Sequence, residues 1–357
     1  MTELLLGTKK GLFVLEGEPG SSFEVTTRAF AGDPVEYAVR DPRSGRVLVS
    51  TTSPFYGPKV WYSDDPTSDD WEQATGVALP ESGDLALERI WVIVPGEADG
   101  LVYAGGDPGV LFESRDGGAT FELNRGLWEH PSRSRWAPGA GGLCLHSIAT
   151  WPDDPARLAV AISAAGVWLT DDGGKTWRSG NQGIVARYLP EDAPPEEEIA
   201  LCVHRLRRAP TRPERMFMQF HGGVYRSDDA GRSWIDIAAG LPSDFGFPLV
   251  IDPADADSAY VIPLTADLDR VTPEGQVRVY ETRDAGESWT PRGDGLPAGH
   301  AYLTVLREAF DRVGKHDDLE MYFGATSGDV FGSADAGATW FHAATLLPPV
   351  LSVAVAR

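Results

Sequence analysis

The sequence predicts an all-β fold, a seven-bladed β-propeller of four-stranded antiparallel blades, and three observations support this prediction. An eight-residue turn pattern recurs along the 357 residues. Short apolar strands separated by turn residues lie between its copies, and the 40 glycines and 27 prolines are typical of a turn-rich globular β protein. The two ends of the chain supply complementary parts of one blade. We therefore expect a single propeller domain over residues 1–357.

The recurring pattern is Ser/Thr-x-Asp-x-Gly-x-Ser/Thr-aromatic. Five segments match it fully: 114–121, 170–177, 227–234, 282–289 and 333–340. A sixth copy, at 63–71, carries an insertion, and a seventh, at 15–23, has lost the aspartate. The copies begin 48 to 57 residues apart, which is the length of one propeller blade. We expect one copy in each blade.

Each copy is a device that closes a β-hairpin. The Asp and Ser/Thr side chains hydrogen-bond the turn backbone, the glycine supplies a positive φ, and the aromatic ring fills the space beside the next blade. A structural rather than a catalytic role is therefore predicted for the aspartates of the pattern: Asp65, Asp116, Asp172, Asp229, Asp284 and Asp335.

On these residues the chain resembles the Asp-box or BNR repeat family, found in sialidases, tandem-propeller xyloglucanases, sortilin-type receptors and a photosystem II assembly factor. The resemblance spans the whole chain and implies that the repeated turns join the third and fourth strands of each blade. It also implies a sialidase-like or glycosyl-hydrolase-like activity as one expectation. The sialidase catalytic set is not recognisable, because the nearest match to its Arg-Ile-Pro motif is Arg89-Ile90-Trp91.

The first blade is predicted to combine both ends of the chain. Residues 3–7 begin directly at a second-strand equivalent, while residues 350–355 alternate as an innermost strand would. We expect this blade to consist of about residues 1–30 and 348–357. Such a closure removes the exposed sheet edge that an open array would present.

A ring of polar residues is predicted near one mouth of the central channel. The innermost strands were aligned on the prolines that end them: Pro42, Pro95, Pro152, Pro210 and Pro253. Six residues before these prolines stand Glu36, Arg89, His146, His204 and Phe247. Two residues after this ring the same alignment gives an apolar row that includes Trp91. Because buried polar groups need partners, the ring predicts a pocket, with Glu36, Arg89, His146 and His204 as candidate catalytic residues. The alternative is that these four side chains only hydrogen-bond loop backbone.

Further residues on the same face are candidate ligand-binding residues. They are His130, Arg135, Trp136, His221, Phe247, His300 and Tyr302. The long loop 124–142 places aromatic rings beside arginines, which suits a sugar ring or a carboxylate. The alternative is that Trp136 merely covers the edge of a blade.

The motif Leu-Cys-x-His occurs twice, at 143–146 and 201–204. Residues two apart lie on the same side of a strand, so each cysteine lies beside its histidine and a soft-metal site is one interpretation. Inherited repeat packing explains the same pattern, and the full spacing of a metal-binding motif is absent. No cofactor is therefore predicted, although the sequence is compatible with binding of a divalent metal ion.

The charge balance narrows the class of partner. Lys and Arg number 31 against 53 Asp and Glu, a formal net charge of −22, and nucleic acids and anionic membranes bind clustered basic residues. We expect neither as a partner. The acidic run 191–198 is predicted to be a solvated loop. Two cysteines and an N-terminus without a basic or long apolar segment predict a cytoplasmic protein without disulfides.

Three functions remain open from the sequence. The preferred one is a ligand-binding module whose mouth holds a small molecule, a glycan or a protein segment. The second is a glycan-acting hydrolase that uses two carboxylates from Glu36, Glu88 and Asp244. The third is a histidine-based, metal-assisted hydrolase or lyase that uses His146 and His204.

Overall fold

Short antiparallel strands make up most of the structure, a computed structural model that describes residues 1–81, 85–188 and 200–356. The acidic run 191–198 lies outside these residues. The helical segments are brief: α1 (Arg125–Trp128) and the 3-10 turns Arg133–Arg135, Pro273–Gly275 and His316–Asp318. Within the described ranges, no helix has the length and apolar character needed to cross a membrane.

The strands follow one another along the chain in groups. The first three are β1 (Thr2–Thr8), β2 (Gly11–Gly17) and β3 (Glu24–Ala29). The next two sheets contain β4 (Val35–Arg40), β5 (Val47–Ser53), β6 (Gly57–Ser63) and β7 (Glu72–Gln73), then β8 (Arg89–Pro95), β9 (Val102–Asp107), β10 (Val110–Ser114) and β11 (Glu122–Leu123).

Three further four-stranded sheets follow. They contain β12 (Leu145–Thr150), β13 (Leu158–Ile162), β14 (Gly166–Thr170) and β15 (Arg178–Ser179); β16 (Val203–Arg208), β17 (Met216–Phe220), β18 (Gly223–Ser227) and β19 (Ile235–Asp236); and β20 (Gly246–Ile251), β21 (Ala259–Pro263), β22 (Val279–Thr282) and β23 (Thr290–Arg292). The last strands are β24 (Val305–Val313), β25 (Glu320–Ala325), β26 (Val330–Ser333), β27 (Phe341–Ala344) and β28 (Val350–Ala356).

The two ends of the chain meet in an eight-stranded sheet with the order β27-β26-β25-β24-β28-β1-β2-β3. The C-terminal strand β28 pairs antiparallel with β1, from Glu3 opposite Ala356 to Thr8 opposite Val350. On its other side β28 meets β24 through one parallel bridge, Glu308 to Ser352. The C-terminal strand therefore covers the inner edge of the N-terminal strands.

The first strands of the sheets form a closed circle of neighbours. Contacts run from β4 through β8, β12, β16, β20 and β24 to β28, and β28 contacts β4. Buried apolar side chains fill the space between neighbouring sheets. One cluster joins Leu6 of β1, Tyr322 of β25 and Tyr260 of β21, so it runs across three groups of strands.

Each of the five complete turn repeats begins at the last residue of a third strand. In the repeat of β18 and β19, Asp229 Oδ1 accepts hydrogen bonds from the backbone N–H groups of Arg232 and Ser233, at 3.1 and 2.8 Å. Its Oδ2 accepts from the Ser233 hydroxyl at 2.6 Å, and Gly231 has a φ of +84°. The inserted copy differs, because the Asp65 carboxylate accepts from Thr67 instead. These side-chain hydrogen bonds hold each turn in one defined conformation.

The aromatic residue of the repeat packs toward the preceding sheet, whereas the sequence predicts contact with the next one. The Nε1–H of Trp234 donates to the carbonyl of Gly180 at 2.8 Å, and that of Trp289 donates to Ile237 at 2.7 Å. The direction follows from a parallel bridge between Ser233 and Gln182, which attaches the turn to the segment that follows the preceding fourth strand.

The repeated turns give the protein a predictable acid sensitivity. Hydrogen bonds, chiefly from the Ser288 hydroxyl, lower the pKa of Asp284 to about 2 from the ordinary 3.8. The unfolded chain therefore binds more protons than the folded one between about pH 4 and pH 2. This contribution to stability is present above that range and is lost as the pH falls through it.

We expect Asp284→Ala to lower the free energy of unfolding at neutral pH and to flatten its decline between pH 4 and pH 2. Urea unfolding at several pH values measures both effects. Asp99 is exposed, and Asp99→Ala serves as the control that should change neither. A variant profile that runs parallel to the wild type across this range would contradict the expectation.

Candidate functional site

The first strands share a bulge near one end. The ladder passes over one residue in each of four strands, Glu36 in β4, Trp91 in β8, His146 in β12 and His204 in β16. It passes over Phe247 and Pro248 in β20, and over residues 306–309 in β24. Because a bulge re-aims the unpaired side chain, these positions are the structural equivalents of one another.

This register corrects the predicted ring in β8. Pro95 is paired with Val102 inside its strand, whereas Pro42 and Pro152 follow the ends of theirs. The proline alignment is therefore shifted by two residues there. Trp91, not Arg89, is the equivalent of Glu36 and the two histidines, and Ile93 takes the place given to Trp91 in the apolar row.

Arg89 nevertheless lies beside the ring. Its Nε is 3.3 Å from Glu36 Oε1, and its guanidinium stacks over the Trp91 ring at 4.6 Å. Burial raises the pKa of Glu36 and Arg89 opposes that effect. Burial also raises the pKa of Asp107, which interacts electrostatically with Arg89. Arg89 therefore forms an ion pair with one carboxyl group of raised pKa and interacts electrostatically with a second.

Arg307, which the sequence reasoning missed, lies among the ring residues. It comes from the bulge of β24, and its guanidinium lies 4.7 Å from the Phe247 ring centre and 5.9 Å from that of Trp91. Burial lowers its pKa, and it also interacts with Cys202 and Cys144. Arg307 Nε and Trp91 Nε1 are two of the buried side-chain donors that have no hydrogen-bond partner among the described residues, and Arg205 Nε and Trp71 Nε1 are two others.

A sequence signal for Arg307 existed, but the alignment could not use it. No proline ends β24, so this strand was absent from the comparison of first strands. The signal is the charged pair Arg307-Glu308 inside the apolar segment from Val305 to Phe310, which breaks the alternation of a core strand.

His146 is fully buried, and both of its ring nitrogens have protein partners. Its Nε2–H donates to the carbonyl of Val203 at 2.7 Å, and Nδ1 lies 3.2 Å from the Ser147 hydroxyl. Burial and the nearby Arg307 keep the pKa of His146 well below its usual value, so the ring is neutral at pH 7. The use of His146 as an acid or base stays a prediction.

His204 is also buried and neutral, but it is held through its other nitrogen. Its Nδ1–H donates to the carbonyl of Gly246 at 2.6 Å, and burial keeps its pKa well below the usual value. The ring centre lies 4.8 Å from that of Phe247 and 5.3 Å from that of His221. Cys202, His204 and His221 each offer one ligand atom, and these atoms lie within 4.8 Å of one another.

Of the other predicted site residues, some are buried in packing contacts and others lie exposed on the surface. Trp136 is buried against Trp168, with ring centres 5.0 Å apart, and His130 packs on the same ring at 4.6 Å. The Trp136 Nε1–H donates to the Ser132 hydroxyl. Arg135 is exposed and lines a cavity of about 460 Å³ with Cys202 and His221. His300 and Tyr302 are exposed near Gly275.

A cavity of about 970 Å³ lies elsewhere. It opens between two repeated turns and is lined by Asp116, Asn124, Lys175 and Trp177 among others. Its walls consist largely of hydrogen-bonded turn residues, and none of the buried unpartnered donors found among the described residues lines it. We therefore place the candidate site at the bulges, beside the 460 Å³ cavity.

Comparison with known proteins supports the fold. No protein-family model and no curated protein matches the sequence. Among solved structures, an ancestral GH74 enzyme aligns with a TM-score of 0.55 and 16% identity over 86% of this chain, which spans only 38% of that chain. A GH74 xyloglucanase from Xanthomonas campestris aligns with a TM-score of 0.36 and 15% identity, over 93% of this chain and 51% of that one. YCF48 bound to D1 peptide aligns with a TM-score of 0.37 and 15% identity, over 71% and 80%.

The protein is a β-propeller. The likeness to the ancestral GH74 enzyme and the closed circle of first strands agree on this class. At 16% identity this similarity is evidence for the fold only, so the function must be argued from the site.

Proposed function

We propose that the chain is a seven-bladed Asp-box propeller that binds a small carboxylate-bearing ligand at the channel mouth. The blade number rests on the eight-stranded sheet, which we interpret as two blades because a single bridge joins β24 to β28. The Asp-box assignment rests on the five turns that share one hydrogen-bond pattern, illustrated by Asp229.

The observation that carries the ligand class is the pair of unpartnered donors, Arg307 Nε and Trp91 Nε1. A guanidinium and an indole N–H can only donate hydrogen bonds. A buried donor without an acceptor costs about 1–3 kcal/mol. A ligand that satisfies both groups must therefore supply acceptors, and a carboxylate supplies two oxygens without a donor.

The positive charge of the arginines at the mouth favours an anionic ligand, although the protein as a whole is negatively charged. The formal net charge is −22, yet Arg89 and Arg307 both contact Trp91. A third arginine, Arg270, lies 5.4 Å from the Phe247 ring centre. Cations gathered in an acidic surface focus the field on one opening and raise the local concentration of anions.

The body of the ligand is expected to be flat or apolar. Phe247 contacts Phe245 with ring centres 5.3 Å apart, and Trp91 adds a third ring, 5.9 Å from the Arg307 guanidinium. Ring surfaces of this kind accept an aromatic acid or the apolar face of an acidic sugar. The adjoining cavity of about 460 Å³ suits a small molecule or a short acidic glycan.

The test is binding of matched pairs of acids and their amides, measured by thermal shift and then calorimetry. We expect acids to bind and amides to fail. The loss of one charge-assisted bond of about 1.5–3 kcal/mol predicts that Arg307→Leu weakens binding about 10- to 150-fold. Arg125 is exposed and pairs with Glu129, so Arg125→Ala is the control that should leave affinity unchanged. Equal binding of acids and amides, or no effect of Arg307→Leu, would refute the proposal.

A second candidate, a glycan-acting hydrolase, is favoured by the raised pKa values of Glu36 and Asp107 beside Arg89. A carboxyl group of raised pKa is suited to act as a general acid, and a GH74 enzyme shares this fold. The assay is hydrolysis of a panel of aryl glycosides, including uronides, by the wild type and by Glu36→Gln. Turnover that Glu36→Gln abolishes supports this candidate, and binding of acids without turnover rejects it.

A further inference from the structure

Two neighbouring blades carry the same Leu-Cys-x-His motif but differ at a third position. The backbone N–H of Ser163 donates to the Cys144 carbonyl at 2.9 Å, and the N–H of His221 donates to the Cys202 carbonyl at 3.0 Å. Ser163 and His221 therefore occupy equivalent places opposite the two motifs. The second motif has a histidine where the first has a serine.

The two motif histidines also differ in the nitrogen that donates to the neighbouring strand. Each donates to a carbonyl in the following first strand, but His146 does so through Nε2 and His204 through Nδ1. Nε2 of His146 also lies 3.0 Å from the Ser163 hydroxyl. A neutral His204 that donates from Nδ1 keeps a lone pair on Nε2, which is the form that binds a metal.

The carboxylate of Asp267 supports the third residue. Its Oδ2 lies 3.6 Å from Nε2 of His221. A carboxylate on one ring nitrogen orients a histidine and makes the other nitrogen a better ligand, an arrangement that recurs behind metal-binding histidines.

We propose that Cys202, His204 and His221 form a Zn²⁺ site whose fourth coordination position opens to the mouth cavity. One thiolate and two imidazoles are zinc ligands, and three protein ligands with an open position are typical of reactive rather than structural zinc. Ligand atoms around tetrahedral zinc lie about 3.3–3.6 Å apart. The three atoms here lie within 4.8 Å, so small rotations of the side chains complete the site. Cys202 and His221 line the cavity with Arg135, and the free position lies on that side.

The surrounding charge makes the thiolate essential. Arg307 is a cation that interacts electrostatically with Cys202, and Arg270 also acts electrostatically on His221. A dication beside two guanidinium groups needs compensating negative charge, which the Cys202 thiolate and the Asp267 carboxylate supply. Replacement of the sulfur by a hydroxyl removes both the soft ligand and half of that charge.

The test uses metal alone, so it is independent of any carboxylate ligand. Apo-protein with a non-thiol reductant is titrated with Zn²⁺ against a chromophoric chelator, and with Co²⁺ for its thiolate charge-transfer absorption. We expect one equivalent of Zn²⁺ and a thiolate band in the wild type. Cys202→Ser is expected to lose the band and the stoichiometric metal, and His221→Gln to lose the stoichiometric metal. Asp267→Asn is expected to weaken zinc binding about 10-fold.

The first motif supplies the matched control. Cys144→Ser changes the same residue type at the equivalent position, where Ser163 stands in place of a third ligand, and we expect it to bind Zn²⁺ as the wild type does. Circular dichroism shows whether each variant is folded, and His221→Gln alters only a half-buried side chain. A wild type that binds no stoichiometric metal would overturn the proposal. Equal metal loss in Cys144→Ser and Cys202→Ser, or full binding in His221→Gln, would do the same.

Discussion

Removal of residues 349–357 is expected to prevent the protein from reaching a cooperatively folded state. This deletion removes β28, which pairs with β1 over six residue positions and contacts β24 and β4, its two neighbours in the circle of first strands. It also removes the buried Val350 and Val353 from a cluster that includes Phe310 and Tyr322. The circle of first strands opens, and the inner edge of β1 loses its partner groups. Near-ultraviolet circular dichroism and thermal unfolding measure the loss.

Addition of the missing strand as a separate peptide distinguishes the loss of ring closure from a nonspecific effect of truncation. We expect a synthetic peptide of residues 348–357 to bind the truncated chain and restore a cooperative transition. A peptide with the same composition in scrambled order should not, because the register from Glu3–Ala356 to Thr8–Val350 depends on alternation. A truncated chain that melts at the temperature of the full chain would show that β28 does not close the fold.

Much of the fold is predictable from this sequence because the repeat is local. The turn pattern needs only eight consecutive residues, and its side chains bond within those residues, as Asp229 does with Ser233. All-β architecture with four-stranded antiparallel sheets is confirmed, and so is the propeller class. The direction of the aromatic contact was wrong, because it depends on the bridge from Ser233 to Gln182, which the spacing of the repeats does not contain.

The site is less predictable because bulges, not prolines, set its register. A bulge adds a residue to one strand and shifts every later position. The alignment failed in β8, where Pro95 still belongs to the ladder, and it missed β24, where four residues leave the ladder. The polar character of Glu36, His146 and His204 was visible in the sequence. The contact of Arg307 with two aromatic rings belongs to the tertiary structure alone.

A large loss of stability is also expected when one partner of the buried ion pair Arg205–Glu308 is removed. The two side chains are 2% and 3% exposed. They come from β16 and β24, which are not neighbours in the circle because β20 lies between them. The pair therefore crosses the channel interior, and Arg205 also donates to the carbonyl of His146. Burial lowers the pKa of Arg205 to about 9, because the charged form is disfavoured away from water.

We expect Glu308→Ala to lower the free energy of unfolding by about 3–5 kcal/mol, because it leaves the Arg205 charge buried without a counter-charge. The double variant Arg205→Met/Glu308→Leu should recover most of the loss, since paired burial of apolar side chains removes both desolvation penalties. The exposed pair Arg125–Glu129 is the control, and Glu129→Ala should cost less than about 1 kcal/mol.

Urea unfolding of the four proteins distinguishes an ion pair that bridges the channel from a general packing defect. If the pair acts through charge, the double variant is more stable than Glu308→Ala, although it changes more atoms. If the double variant is less stable than Glu308→Ala, the two side chains stabilise the fold through their packing shape and not through their charges. The first result would show that the buried pair Arg205–Glu308 stabilises the fold through its paired charges.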